Sequence, residues 1–350
     1  MKINAIEKSY LNISGNICDS EFINLINIKN DRISFNKEIC SLLINEKRLL
    51  KNQKIESFDN AIYIFKYKNT YGVICDLPID EYNNGKVKRH ELIIPDKIEG
   101  ILNNLNSFNC ETSPILLGHN KNINYLSYIK EKKYKKNLIL DNIEIYVFCD
   151  QIANEILNEF LNVDKFYIAD GHHRLYSTFL SKFKKSILSC LINFKDLDIL
   201  PIHRIIPSVD GKLFKEAKNL IQNNFNVLPF GTPLTQGRIR MIYNNDRFVV
   251  ELKEINSGNI YNNNDIYKLN FQIISGVFSI FDAKNLKFIS DYELRKGNVL
   301  LGEKDVLIET YPIGKNDFIK SVNNEIIMQP KTTCFYPKFP SFLIFKVYKD

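Results

Sequence analysis

One ten-residue stretch constrains the fold more than any other. Residues 165–174 read KFYIADGHHR, an apolar run that ends at an acid, passes through a glycine and reaches three nitrogen-rich side chains. This is the pattern of a strand that turns sharply into a helix. The next segments follow at once: RLYSTFLSKF (174–183) has helical spacing, and SILSCLINF (186–194) is a strand of the fully buried type. Upstream, IEIYVFCD (143–150) is a strand and QIANEILNEFLN (151–162) is a helix with apolar residues at 152, 156, 157, 160 and 161. NAIYIFKYKN (60–69) and TYGVICDLPI (70–79) form a hairpin, with a further turn at Asn84-Gly85. Ile98, Ile101, Leu102 and Leu105 set a helix over 96–106, and SPILLG (113–118) is a short buried strand. The order of strand, polar loop, helix and strand recurs, which predicts an α/β (α+β) fold.

The rest of the chain is read more coarsely. Residues 1–60 mix short apolar runs with charged, Asn-rich breaks. ILPIHRIIP (199–207) reads as a strand, 213–224 as a helix, and VVELKEI and KFISDYEL as strand-like segments. We expect three regions: an N-terminal α+β region (1–70), a core (71–207) and a C-terminal α+β region (208–350).

Composition removes several classes. With 45% hydrophobic residues, 24 Phe and 18 Tyr, wholesale disorder is excluded. No apolar run approaches the roughly 20 residues a membrane helix needs, and the first twenty residues lack a signal-peptide core. The seven cysteines (18, 40, 75, 110, 149, 190, 334) are widely spaced with no CxxC pair, so we expect reduced core thiols in a cytoplasmic protein. The net charge of +7 is scattered, apart from YIKEKKYKK (128–136). That run reads as a solvated loop or helix end, with phosphate steering as the sharper alternative, and nucleic acid is not expected as a partner. Walker, GxGxxG, GxSxG and HExxH motifs are all missing.

The chemistry concentrates where the histidines do. All five lie between 90 and 203. In the 165–174 stretch, Gly171 permits the turn and a close ligand approach. The N–H groups of the following helix start attract an anion. His172, His173 and Arg174 add donors, and Arg174 suits a phosphate. Asp170, at the carboxyl end of a strand, suits Mg²⁺ or a proton. The plain alternative is a capped turn with exposed histidines. Three lesser clusters are His90-Glu91 after Lys88-Arg89, His203-Arg204 after Pro201-Ile202, and Lys331-Thr332-Thr333 in KTTCFYPK. Glu91 suits a general base, or is a surface charge. His203 and Arg204 suit substrate contact, or a satisfied core edge. Lys331, Thr332 and Thr333 suit a phosphate or polar substrate, or an edge strand.

ADGHHR, taken in order with YGVICDLPIDEYNNGKVKRHE, TSPILL, LPIHRII and PKTTCFYPK, resembles the bacterial domain-of-unknown-function 1015 family (DUF1015) from about residue 60 onward. The first sixty residues depart from that pattern. Within it, His90-Glu91, a helix, Pro114-Ile115, the Asp170–Arg174 turn, a helix and a strand are similar to the ParB/sulfiredoxin-like fold, and most to its free serine kinases. The segment between Pro114-Ile115 and Asp170 is longer here. The resemblance implies a ParB/sulfiredoxin-like core that binds ATP or ADP with Mg²⁺, phosphates on Gly171–Arg174, Glu91 as base and Asp170 assisting the base or the metal. It implies phosphoryl transfer to a free amino acid such as L-serine. A non-catalytic nucleotide-binding regulator is the alternative.

Overall fold

A computed structural model of the chain describes residues 1–14, 26–34, 52–255, 264–297 and 299–349. The fold is mixed α/β. Two compact units share the chain, and each is discontinuous. One comprises Met1–Arg89, Ile93–Leu197 and Pro337–Asp350, and the other His90–Leu92 and Asp198–Tyr336. Among the described residues, no helix is long and apolar enough to cross a membrane.

The first unit is built on an 11-stranded sheet. The expected hairpin is present as Ile55–Tyr67 and Thr70–Pro78, paired antiparallel with Tyr67 opposite Thr70. Ser186–Asn193 pairs antiparallel with Thr70–Pro78, and Ile115–His119 lies parallel to it. Both are buried on both faces, as their near-continuous apolar runs require. Phe166–Asp170 lies antiparallel to Ile115–His119, with a register shift between Ile168 and Asp170. Such an irregularity re-aims the side chains at a strand end, and here it falls on Asp170. On the other side, Ile6–Asn12 pairs with Ile55–Tyr67 and with Ile344–Val347, so the two ends of the sequence meet in one sheet.

Helix Pro95–Ser107 starts with proline in its first turn, where the missing N–H costs nothing, and buries Ile98 and Leu105. It packs against helix His172–Ser181. The core beneath includes Ile64, Val73, Leu117, Phe148, Phe166 and Leu175. Full burial of side chains of this size stabilises by about 1.5–3 kcal/mol each.

The second unit carries a six-stranded sheet in the order Asn226–Pro229, Asp246–Glu251, Arg238–Tyr243, Val306–Thr310, Ile202–Ile206 and Lys287–Ser290, antiparallel throughout. Helix Gly211–Asn224 is capped by Asp210, whose carboxylate accepts the Leu213 N–H at 2.8 Å, and it buries Phe214, Ala217 and Ile221.

Several boundaries differ from the sequence reading. ILPIHRIIP is two strands, Asp198–Leu200 and Ile202–Ile206, because Pro201 cannot donate to a ladder. KFISDYEL is a strand only to Ser290. There Ser290 and Glu293 form a capping box that starts helix Asp291–Arg295. The helix expected over 151–162 is Asp150–Asn158, followed by turns. The helix after Gly171 begins at His172 rather than at Arg174. Around the basic run, Lys132, Lys135 and Lys136 pair with Glu155, Asp150 and Glu56, so much of its charge is locally balanced. Cys75, Cys110 and Cys190 are buried and Cys149 and Cys334 half-buried, and none of these five is in a disulfide. Cys18 and Cys40 lie outside the described residues, as do parts of the 1–60 region.

Candidate functional site

The turn after Phe166–Asp170 is built around Gly171. Its φ is +95°, in the left-handed region, and a Cβ there would lie 2.5 Å from Ile115 Cγ2. Both conformation and space therefore require glycine. Gly171 caps helix His172–Ser181, and its carbonyl accepts the Leu175 N–H at 2.9 Å. The helix's first N–H groups have no partner within the helix, which is the property that favours anions there.

The side chains of this turn are fixed in different ways. His172 is buried. His173 Nε2 accepts the Ile94 N–H at 3.0 Å, tying the turn to the start of helix Pro95–Ser107. Arg174 donates to the Ser113 carbonyl, to Ser113 Oγ (3.0 Å) and to Asp170 Oδ2 (2.9 Å). Lys338 donates to Asp170 Oδ1 at 3.1 Å. Burial alone would raise the Asp170 pKa, but the charges of Lys338 and Arg174 outweigh it and hold the carboxyl at about 2. Beside the turn, a groove of about 660 Å³ is lined by Arg89, Ile93, Ile98, Leu102, Tyr176 and Leu180, among others. It offers apolar walls, one aromatic ring, a guanidinium, the Glu99 carboxylate and two asparagine amides.

The remaining sequence candidates lie in the second unit. His90 is buried, with its ring edge-on to Phe318 (4.7 Å) and Phe335 (6.0 Å), and its Nε2 is 2.9 Å from Thr333 Oγ1. Its carbonyl accepts the Met328 N–H at 2.6 Å. Glu91 Oε1 accepts the Lys331 N–H at 2.9 Å. Lys331 has a φ of +62°, uncommon outside glycine. Thr332 donates to the Gln329 carbonyl at 2.6 Å. Arg204 is wholly buried. It donates to the Ile202 and Lys331 carbonyls, lies 5.4 Å from the Phe288 ring, and burial pushes its pKa down to about 9. His203 Nδ1 accepts the Thr310 N–H at 3.1 Å and Nε2 lies 3.4 Å from Asp291 Oδ1, the geometry of a satisfied core-edge histidine. His90, Glu91, Arg204 and the 331–333 segment thus form one connected hydrogen-bonded cluster within the second unit.

Sequence reading passed over Ser113, Ile94 and Lys338 as partners of the turn. Lys338 was visible as the last residue of KTTCFYPK. Ser113 and Ile94 carry no local signal.

A divalent cation at Asp170 does not fit this donor set. Mg²⁺ needs oxygens around it and binds through one or two carboxylates. Both Asp170 oxygens instead face cationic nitrogens.

Two buried histidines set an acid limit on stability. Burial pushes His172 down to about 4, against the opposing pull of Asp170, and pushes His119, packed against Phe160 and Phe166, to about 4 as well. A histidine with a lowered folded pKa contributes fully above its unfolded value of about 6.5 and loses that contribution as pH falls toward 4. At pH 5 each costs about 2 kcal/mol relative to pH 7.5. His119→Phe or His172→Gln should flatten the pH dependence of thermal unfolding between 7.5 and 5. Asp170 also has a lowered pKa, so its linkage has the same sign, but its contribution is lost only as pH falls from about 3.8 toward 2. An unchanged slope in both variants contradicts the assignment.

A family profile described as "Protein of unknown function (DUF1015)" matches residues 29–272. The chain belongs to the DUF1015 family. A search of curated proteins finds no match. Solved structures similar to this DUF1015 chain include SbnI with C-terminal truncation from Staphylococcus aureus, 13% identical, covering 77% of this chain and 85% of that one, with a TM-score of 0.41. A conserved hypothetical protein from Pyrococcus furiosus is 14% identical, covering 77% and 93%, with a TM-score of 0.39. A free serine kinase mutant in complex with AMP is 13% identical, covering 79% and 93%, with a TM-score of 0.41.

Proposed function

We propose that this protein is a nucleotide-dependent small-molecule kinase that transfers a phosphoryl group to the hydroxyl of a free amino acid such as L-serine. The observation that carries the reading is the Asp170–Arg174 turn. A strand end, an obligatory left-handed glycine and a helix start are combined with Lys338 and Arg174 at one carboxylate. Phosphates seat on the Gly171–Arg174 backbone, and the neighbouring groove suits a flat, partly apolar nucleoside. Phosphoryl transfer relies on positioning and charge stabilisation more than on covalent chemistry, which suits a turn held as rigidly as this one.

The order of motifs along the chain supports the assignment of Glu91 as the base for the acceptor hydroxyl. Its Oε1 accepts the Lys331 N–H, which orients the carboxylate, and the Lys331 carbonyl is held in turn by Arg204. A base needs that orientation, since proton transfer is sensitive to small displacements.

Binding is tested by thermal unfolding of the full chain with ADP, ATP and AMP. A ligand at about 100 times its Kd stabilises the native state by about 2.7 kcal/mol. We expect a shift with ADP or ATP that the Gly171→Val variant loses. No shift with any nucleotide contradicts the reading.

A further inference from the structure

We propose that Asp170 holds no metal but parks Lys338, which transfers from the carboxylate to the phosphates when a nucleoside di- or triphosphate binds. This inference rests on the nucleotide reading above and adds the residue that supplies the mobile charge.

The two cations on Asp170 are unlike each other. Arg174 is anchored: its guanidinium holds Ser113 through the carbonyl and Oγ as well as Asp170, and its side chain is only 20% exposed. Lys338 reaches Asp170 from 168 residues away, with a side chain 53% exposed on a flexible stem. An exposed lysine–carboxylate pair is weak, since solvent screens it and the stem loses freedom in making it. A phosphate with its higher charge outcompetes a single carboxylate for the ammonium. Pro337 before it restrains the backbone, so the movement we assign to Lys338 is a rotation of its side chain. Asp170 keeps Arg174 throughout, so it remains ionised and paired. A divalent ion on Asp170 would instead sit beside two positive groups already in contact with both oxygens. The arrangement needs no metal on the protein; any Mg²⁺ would arrive on the nucleotide.

The test is calorimetric titration of ADP into the full chain, in EDTA and in Mg²⁺, together with Mn²⁺ titration followed by electron paramagnetic resonance without nucleotide. ADP is expected to bind in EDTA. Lys338→Gln should weaken binding about tenfold, the size of one charge-assisted hydrogen bond, while Lys338→Arg retains most of it. Asp170→Asn releases Lys338 and should tighten ADP binding, the reverse of what loss of a metal ligand would do. Both exchanges are close in size and lie at the surface, and thermal unfolding confirms that the variants are folded. The inference is overturned if ADP binds only with Mg²⁺ and Asp170→Asn abolishes it, or if Lys338→Gln binds as the parent does. It is also overturned if Mn²⁺ alone occupies a site that Asp170→Asn removes. If the parent binds no nucleotide in either buffer, the nucleotide reading itself falls, and the Mn²⁺ arm still decides whether Asp170 holds a metal.

Discussion

Lys346→Met should destabilise the protein by about 3–5 kcal/mol, the usual cost of breaking a buried ion pair from one side. Lys346 is 6% exposed, and its ammonium contacts Asp76 Oδ1 at 2.6 Å, Oδ2 at 2.7 Å and Ser186 Oγ at 2.7 Å. Ser186 also donates to Asp76 at 2.6 Å. A second pair, Lys184 and Glu111, is buried too. Glu111 accepts the Leu188 N–H at 2.9 Å, and Lys184 sits 4.6 Å from the Tyr348 ring. Burial, with Lys346 adding to it, lowers the Lys184 pKa. The methionine would leave the buried Asp76 carboxylate with the Ser186 hydroxyl as its hydrogen-bond partner among the described residues. Pairing Lys346→Met with Asp76→Leu removes both charges and should recover most of the loss. Denaturant unfolding of the single and double variants measures this. A single-variant cost under about 1 kcal/mol would mean that water reaches the cluster and screens it. The consequence is topological as well, because Lys346 lies on the strand that joins the chain's end to Ile6–Asn12, opposite Ser9.

Glu91→Gln should lower turnover by about 10²–10⁴-fold, the usual contribution of a general base, while nucleotide affinity stays near the parent value. The amide retains an oxygen able to accept the Lys331 N–H, so the strained segment around Lys331 keeps its partner. Only the capacity to take a proton is removed. Glu91→Ala removes the acceptor as well and should lower stability in addition. Steady-state kinetics with a separate binding titration resolve the two effects. Full activity in Glu91→Gln would exclude Glu91 as the base.

Much of the architecture is legible in the sequence. The mixed α/β class and the DUF1015 family both follow from it. Pro95 with apolar residues at helical spacing marks helix Pro95–Ser107, and the doubly apolar run of 186–194 marks a buried strand. Boundaries drift where a capping residue overrides hydrophobic pattern. Ser290 starts a helix inside an apparently strand-like run, and Gly171, by adopting a left-handed conformation, draws His172 and His173 into the first helical turn. The turn's chemistry was visible as residue types, but its bonding was not. Arg174 meets Ser113 across 61 residues, and Lys338 meets Asp170 across 168. Such pairings depend on strand register, which no local spacing encodes. The same limit hid the sheet partnership between Ile6–Asn12 and Ile344–Val347.

Phosphorus NMR of the purified protein with Mg²⁺, ADP or ATP, and L-serine tests the central claim most directly. Reactions without serine, and with threonine or homoserine in its place, provide the comparison. The kinase reading predicts a new phosphomonoester resonance that requires both nucleotide and the amino-acid hydroxyl, and that disappears in Glu91→Gln. Bound nucleotide with no new resonance for any hydroxyl amino acid would contradict it and leave a nucleotide-binding regulator in its place.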